Sequence, residues 1–176
     1  MKIVTGKVRF SYVHVWEPAS INGSDPKYSV SLIIPKSDTA ALEKIKAAIE
    51  VAKKEGIARL GGNVPEDLKT PLKDGDIDMP DNEAYLNSYF INANSSMKPG
   101  IVDKDVQAIT DQSKFYSGCY GRASITFYAY NVNGSKGIAC GLQNLQKLSD
   151  GERIDGHSRP EEDFDAVQNA EEDFLN

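Results

Sequence analysis

The run FYSGCYGRASITFYAYNVNGSKGIACGLQNLQKL, Phe115 to Leu148, reads as two long strands folded back on each other around Asn131-Val132-Asn133-Gly134-Ser135. An Asn-Gly pair between alternating apolar residues is the strongest short-range hairpin signal, because the tight turn needs positive φ at both central positions. On the first strand Cys119, Ala123, Ile125, Phe127 and Ala129 alternate with Tyr120, Arg122, Ser124, Thr126, Tyr128 and Tyr130. A period of two sends the two sets to opposite faces. One is a plain core face. The other offers rings for stacking and a cation for phosphate. Equally, tyrosines favour strands for their own sake, and Tyr128 and Tyr130 can cover a second layer.

On the return strand Leu142, Leu145 and Leu148 predict a bend or a terminal turn of helix, while Gly137 and Gly141 mark bulges or close backbone approach. Cys119 and Cys140 fall several residues apart along the paired strands, which predicts reduced thiols rather than a disulfide. His14 and His157 lie near no cysteine or carboxylate at ligand spacing, so no metal and no cofactor is expected.

Upstream, residues 3 to 16 alternate as one long strand. Val4, Val8, Phe10, Tyr12, His14 and Trp16 are expected inside, and Thr5, Lys7, Arg9, Ser11, Val13 and Val15 outside. His14 then reads as an inner-face histidine and Trp16 as a core plug, with a stacking ring as its alternative. After a turn-rich link, Lys27 to Ile34 reads as a second strand stopped by Pro35. Ser37 or Asp38 caps a helix to about Glu55, with Leu42, Ile45, Ala48, Ile49 and Ala52 as its buried stripe and Gly56 as its stop. Residues 57 to 82 read as an irregular excursion. Within it Asp74, Asp76 and Asp78 resemble the start of a calcium loop but lack its closing glutamate. Ala84 to Ala93 resumes strand character, followed by Asn92, Asn94, Ser95 and Ser96, which suit phosphate or base contacts or simple strand-end turns. Residues 101 to 114 form a polar connector.

The formal net charge of −6 is unevenly spread. Residues 150–176 hold ten acids against Arg153 and Arg159, which leaves 18 basic against 16 acidic residues for 1–149, a balance of +2. The expected division is therefore a folded domain over 1–149 and an acidic, disordered tail over 150–176. Two acidic clusters in that tail end in phenylalanine, the second being Glu171-Glu172-Asp173-Phe174. No apolar run approaches a membrane span, and the start lacks a signal-peptide core, so a cytoplasmic setting is expected.

These elements predict a mainly β fold with one inserted helix, an OB-fold-like, partly open five-stranded β-barrel. A β-sandwich would read much the same. Three blocks carry a resemblance: Tyr89-Phe90-Ile91-Asn92-Ala93-Asn94-Ser95 with Lys98-Pro99-Gly100-Ile101-Val102-Asp103; Tyr116-Ser117-Gly118-Cys119-Tyr120-Gly121-Arg122; and Lys136-Gly137-Ile138 with Gly141 to Lys147. They resemble a bacteriophage family long known as a domain of unknown function, whose members look like single-stranded DNA-binding proteins with an OB-fold. The acidic tail with Phe174 is similar to the tails of replication single-strand binders. The resemblance implies sequence-tolerant binding of single-stranded DNA in phage replication or recombination, in the host cytoplasm, with self-association on DNA as a further expectation.

From alternation and chemistry, Lys7, Arg9, Lys27, Lys114 and Arg122 are the expected phosphate contacts, and Tyr120, Tyr128 and Tyr130, with Trp16 and Tyr28, the expected stacking rings. The tail is expected to compete with DNA, and Glu171, Glu172, Asp173 and Phe174 to recruit replication or recombination proteins. Two alternatives remain at this point. One is a phage assembly protein that uses the tyrosine face as a subunit interface. The other is a magnesium nuclease built on Asp103 and Asp105, for which the sequence lacks supporting motifs.

Overall fold

The computed structural model describes residues 2–20, 23–154 and 164–167. In chain order its elements are β1 (Lys2–Val4), β2 (Val8–Ala19), β3 (Lys27–Pro35), α1 (Thr39–Glu55), β4 (Leu72–Asp74), α2 (Gly75–Asp78), β5 (Ser88–Ser95), β6 (Gly100–Val102), β7 (Tyr120–Val132) and β8 (Ser135–Ser149), with single 3-10 turns at Glu83–Tyr85 and Gln112–Lys114.

The β7–β8 hairpin is paired from Val132↔Ser135 down to Tyr120↔Ser149. Its turn places Asn133 at φ 51° and Gly134 at φ 83°, the conformation that Asn-Gly supplies at low steric cost. Ala123, Ile125, Phe127 and Ala129 are buried and Arg122 and Tyr128 exposed, as the alternation requires. Leu142 and Leu145 both face inward, but not through a helical turn: Ile125 pairs with Leu142 and Ser124 with Asn144, so Gln143 is the extra residue of a bulge in one continuous strand.

A barrel results from the order β2-β3-β5-β8-β7, with β7 returning to β2 through Val8↔Gly121 and Arg9↔Tyr120. The seam between β5 and β8 is narrow, a single parallel pair at Asn94↔Gly141. Further along it, β4 occupies the edge of β5 from Tyr89 to Ile91, while Lys69 bridges to Gly137 on β8. Residues 69–74, expected to be irregular, thus lie in the seam and continue the wall. β1 and β6 lengthen the sheet at β7 and β8.

The helix begins where expected: the Asp38 side chain accepts from the Ala41 N–H, and Leu42, Ile45, Ala48, Ile49 and Ala52 are its buried residues. That stripe joins Phe10, Leu32, Ile34, Ile91, Phe115, Ile125 and Leu145 in one core. A smaller cluster of Ile33, Tyr85 and Phe90 lies on the opposite face of β3 and β5, under the segment that carries α2. Hence β3 is buried on both faces from Val30 to Ile34 rather than on one.

The N-terminal strand departs from the expected pattern at two places. Ile3 and Thr5 are buried and Val4 is exposed, because the chain breaks between β1 and β2. In β2 a register shift between Ser11 and His14 accompanies Tyr12 at φ 46°. One residue of left-handed backbone inverts the alternation. Phe10 and Val15 are therefore inside, while Tyr12 and His14, both expected inside, are exposed. Trp16 is half-buried, and its Nε1–H donates to the Phe115 carbonyl at 3.0 Å.

Cys119 and Cys140 are buried free thiols. Burial pushes their pKa values up from 9.0 to about 11 and about 12. Thiols react as thiolates, so both are expected to resist a disulfide-exchange reagent at pH 8 in the native protein and to titrate fully in denaturant. The same shift has a stability consequence, because the unfolded thiols ionise first. Their contribution is complete below pH 9 and lost as the pH climbs through the folded values.

Candidate nucleic-acid interface

On the barrel's outer wall β7 presents Tyr120, Arg122, Ser124, Thr126, Tyr128 and Tyr130 in one row. The neighbouring strand makes room for that row. A Cβ at Gly137 would stand 2.5 Å from Tyr130 Oη and 2.8 Å from the Lys69 carbonyl oxygen, and one at Gly141 would stand 2.6 Å from Thr126 Oγ1. The close approach at these glycines is therefore made by the Tyr130 and Thr126 side chains that lie across β8 and, at Gly137, by the Lys69 backbone as well.

Beyond the glycines the wall continues onto β5. Asn94 pairs with Gly141 on one side and Ser29 on the other, and Asn92 pairs with Ser31. The two asparagines border two depressions. One, of about 410 Å³, is lined by Lys69, Pro71, Lys73, Tyr130 and Ile138 together with both asparagines. The other, of about 420 Å³, is lined by Tyr12, His14, Lys27, Ser29 and Tyr85 together with the same asparagines. A groove therefore runs from the β2–β3 loop across β3 and β5 to the tip of the β7–β8 hairpin. Lys27, Lys69 and Lys73 form no ion pair among the described residues; Lys69 Nζ donates to Ser135 Oγ at 3.2 Å. Asp25 also borders the second depression.

The sequence-derived site residues fall into three places. Lys27 and Tyr130 line the groove, and Tyr128 stands exposed beside it. Lys7, Arg9, Tyr120 and Arg122 gather at the other end of the β7 row. There Lys7 Nζ and Arg9 lie 5.2 and 5.5 Å from the Tyr120 ring centroid. Arg9 is engaged with its own chain, donating from Nε to the Gly118 carbonyl (3.2 Å) and from Nη2 to the Glu152 carbonyl (2.6 Å). Arg122 donates twice to Gln146 Oε1, at 3.0 and 2.6 Å. The third place holds Trp16, under Lys98 Nζ at 5.4 Å, with Lys114 one residue from the carbonyl that Trp16 uses. Tyr28 alternates with Lys27 on β3 and faces away from the groove side, half-buried.

Chain contacts with the body continue past residue 149. Tyr116 Oη donates to Asp150 and accepts from the Gly151 N–H, and the Ile154 N–H donates to the Ser117 carbonyl. Glu171, Glu172, Asp173 and Phe174 lie outside the described residues.

Tyr12, His14, Lys69 and Lys73 are groove residues that alternation did not single out. Asn92 and Asn94, outside the expected site set, did carry a signal as polar residues suited to phosphate or base contacts. The aspartates considered for metal have other uses. Asp74 and Asp76 hold Lys36 Nζ at 2.9 and 2.8 Å. Their hydrogen bonds, Asp76 first, raise the Lys36 ammonium far above its ordinary value, and Lys36 in turn lowers the Asp76 carboxyl. Asp103 Oδ1 accepts from the N–H groups of Asp105 and Gln107, closing its own loop. No group of three or more metal-ligating side chains occurs among the described residues.

Comparison with known proteins places these features in context. A family model described as Enterobacter phage Enc34, ssDNA-binding protein, matches residues 1–175. Protein p50 of Acyrthosiphon pisum secondary endosymbiont phage 1 is 32% identical over 184 residues, 99% of this chain and 98% of that protein. The single-stranded DNA-binding protein from bacteriophage Enc34, solved in complex with ssDNA, superposes with a TM-score of 0.78 at 28% identity, covering 87% of this chain and 89% of that one. The single-stranded DNA-binding protein gp2.5 of bacteriophage T7 covers 97% of each chain with a TM-score of 0.66; at 11% identity that likeness concerns the fold alone.

Proposed function

Since this chain belongs to the family of the Enterobacter phage Enc34 single-stranded DNA-binding protein, we propose that it binds single-stranded DNA in phage DNA replication or recombination, sequence-tolerantly and without covalent chemistry. The observation that carries the reading is the groove over β3, β5 and β8, where lysines, asparagines and tyrosine rings share one wall. OB-folds bind oligonucleotides on the face of their second and third strands and at the loops that flank it, which here are β3, β5, the β2–β3 loop and the hairpin tip. Lys27, Lys69 and Lys73 would neutralise phosphates, and Tyr130 and Tyr128 would stack bases. The cluster of Lys7, Arg9, Tyr120 and Arg122 would extend the track along β7. Trp16, Tyr28 and Lys114 stand as outlying contacts.

A fluorescence titration with single- and double-stranded oligonucleotides of one length, at two salt concentrations, tests this. Tight single-strand binding that weakens with salt is expected. Equal or absent binding of the two forms would overturn it.

The acidic tail would act as a tethered anion that competes with DNA for the groove, and its Phe174 end would recruit replication proteins. Because Gly151 to Ile154 pack on the body, the informative truncation keeps them and removes 155–176. Tighter binding than the full chain at low salt is expected, with the difference shrinking as salt screens the tail. Equal affinities at low salt would remove the competition.

A further inference from the structure

We propose that the depression beside Tyr12 is a receptor for a single nucleobase turned out of the bound strand, with the Tyr12 ring as its stacking wall and Asn92 at its polar edge. This rests on the single-stranded DNA reading and adds a site to it. An outer sheet face of a small barrel is ordinarily open. Here it is walled. The segment that carries α2 raises Met79 on one side and the β2 bulge raises Tyr12 on the other, with the buried Tyr85 ring between them. The depression's volume of about 420 Å³ is of the size that takes small organic groups.

Tyr12 is the distinctive element. Its φ of 46° is uncommon for a bulky residue, and its side chain is 53% exposed although its place in the alternation is an inner one. Strained backbone persists where the surroundings impose it, and such outliers gather at ligand sites. The bulge holds the ring 6.4 Å from that of Tyr85, inclined at 46°. Deeper in, Tyr85 Oη donates to Ser31 Oγ at 2.8 Å, and Tyr85 meets Phe90 edge-on at 5.0 Å, so the floor is already satisfied and mostly apolar. Polar capacity sits at the mouth, in Asn92, His14 and Ser29. An amide that both donates and accepts suits a base edge. The ligand that fits is flat, apolar on its faces and polar at its rim. Among the described residues the lining carries one lysine, Lys27, with Asp25 also on it, and Lys27 suits the phosphate next to the inserted base.

The test uses the full chain and two fluorescent strands of equal length, an oligo-dT and one of abasic residues. Stacking per base corresponds to about a 5- to 150-fold effect on affinity. Tyr12→Ala is expected to lose that factor on oligo-dT, with no change in the salt slope, and to match the parent on the abasic strand. Tyr12→Phe keeps the ring and is expected to keep the preference for the base-bearing strand. Both strands are tested on the same variant, so an equal loss on the two would mean that Tyr12 acts through the fold rather than on a base, and would overturn the proposal. Parental affinity of Tyr12→Ala for oligo-dT would also overturn it, while leaving the single-stranded DNA reading standing. If the parent itself bound neither strand, the functional reading would fall first, and the base receptor with it.

Discussion

Phe10→Ala is expected to lower the unfolding free energy by about 3–5 kcal/mol, the usual loss for a large aromatic removed from a core that cannot collapse around the gap. Phe10 is fully buried, its ring centroid lies 4.9 Å from that of Phe115, and its backbone closes the barrel by accepting from the Gly118 N–H and donating to the Cys119 carbonyl. Its ring also lies 2.9 Å from where a Cβ at Gly121 would stand, and a glycine has no side chain to fill the space that the ring would leave. For a chain of this length the loss corresponds to a midpoint lowered by roughly 6–20 °C. Urea unfolding monitored by circular dichroism measures it. Val132→Ala, at a site 61% exposed beside the hairpin turn, is the comparison and should stay within about 0.5 kcal/mol of the parent. Comparable losses in the two variants would mean that the β2–β7 junction is not part of the core.

That junction also shows why some of the molecule was legible in the sequence and some was not. The β7–β8 hairpin and the α1 stripe are local patterns, one of period two around an Asn-Gly turn and one of period 3.6 between Asp38 and Gly56, and both formed where the pattern placed them. The tyrosine row on β7 followed from the same periodicity. The slip at Tyr12 left only a faint trace, since Val13 and Val15 fall on the polar side of the alternation and His14 on the apolar one, but no glycine marks the left-handed position. It moved His14 and Tyr12 from the core side to the groove. Leu142 and Leu145 did carry a signal, a spacing of three, but a bulge and a helical turn share that spacing. The burial of Ser31 and Ile33 depends on Tyr85, more than fifty residues away in the chain. Lys69 and Lys73 line the groove only because their segment pairs with β8 and β5, and non-local pairing of that kind has no local period.

These two lysines carry the second large effect. Lys69→Ala/Lys73→Ala is expected to reduce the slope of log affinity against log salt by about 1.4, since each phosphate neutralised on a single strand contributes about 0.7. The same counterion term predicts an affinity loss of about 50- to 100-fold near 50 mM salt, falling to about tenfold near 200 mM. Convergence of the two binding curves with rising salt is therefore the diagnostic feature, and a lost packing contact would not produce it. Both side chains are exposed and lie along the seam, so the fold should be unaffected and the thermal midpoint unchanged. Lys54→Ala removes one charge, half that of the double variant, from the exposed side of α1, the element whose other face fills the barrel, and should leave the slope as it is. If the double variant kept the parental slope, phosphates would have to cross the barrel elsewhere. The cations at the far end of the β7 row, Lys7 and Arg122, would then be the ones to remove. If Lys54→Ala lowered the slope by about 0.7, as much per charge as the lysine pair, the interaction would be with the net charge of the body rather than with a groove, and the seam between β5 and β8 would have no special part in it.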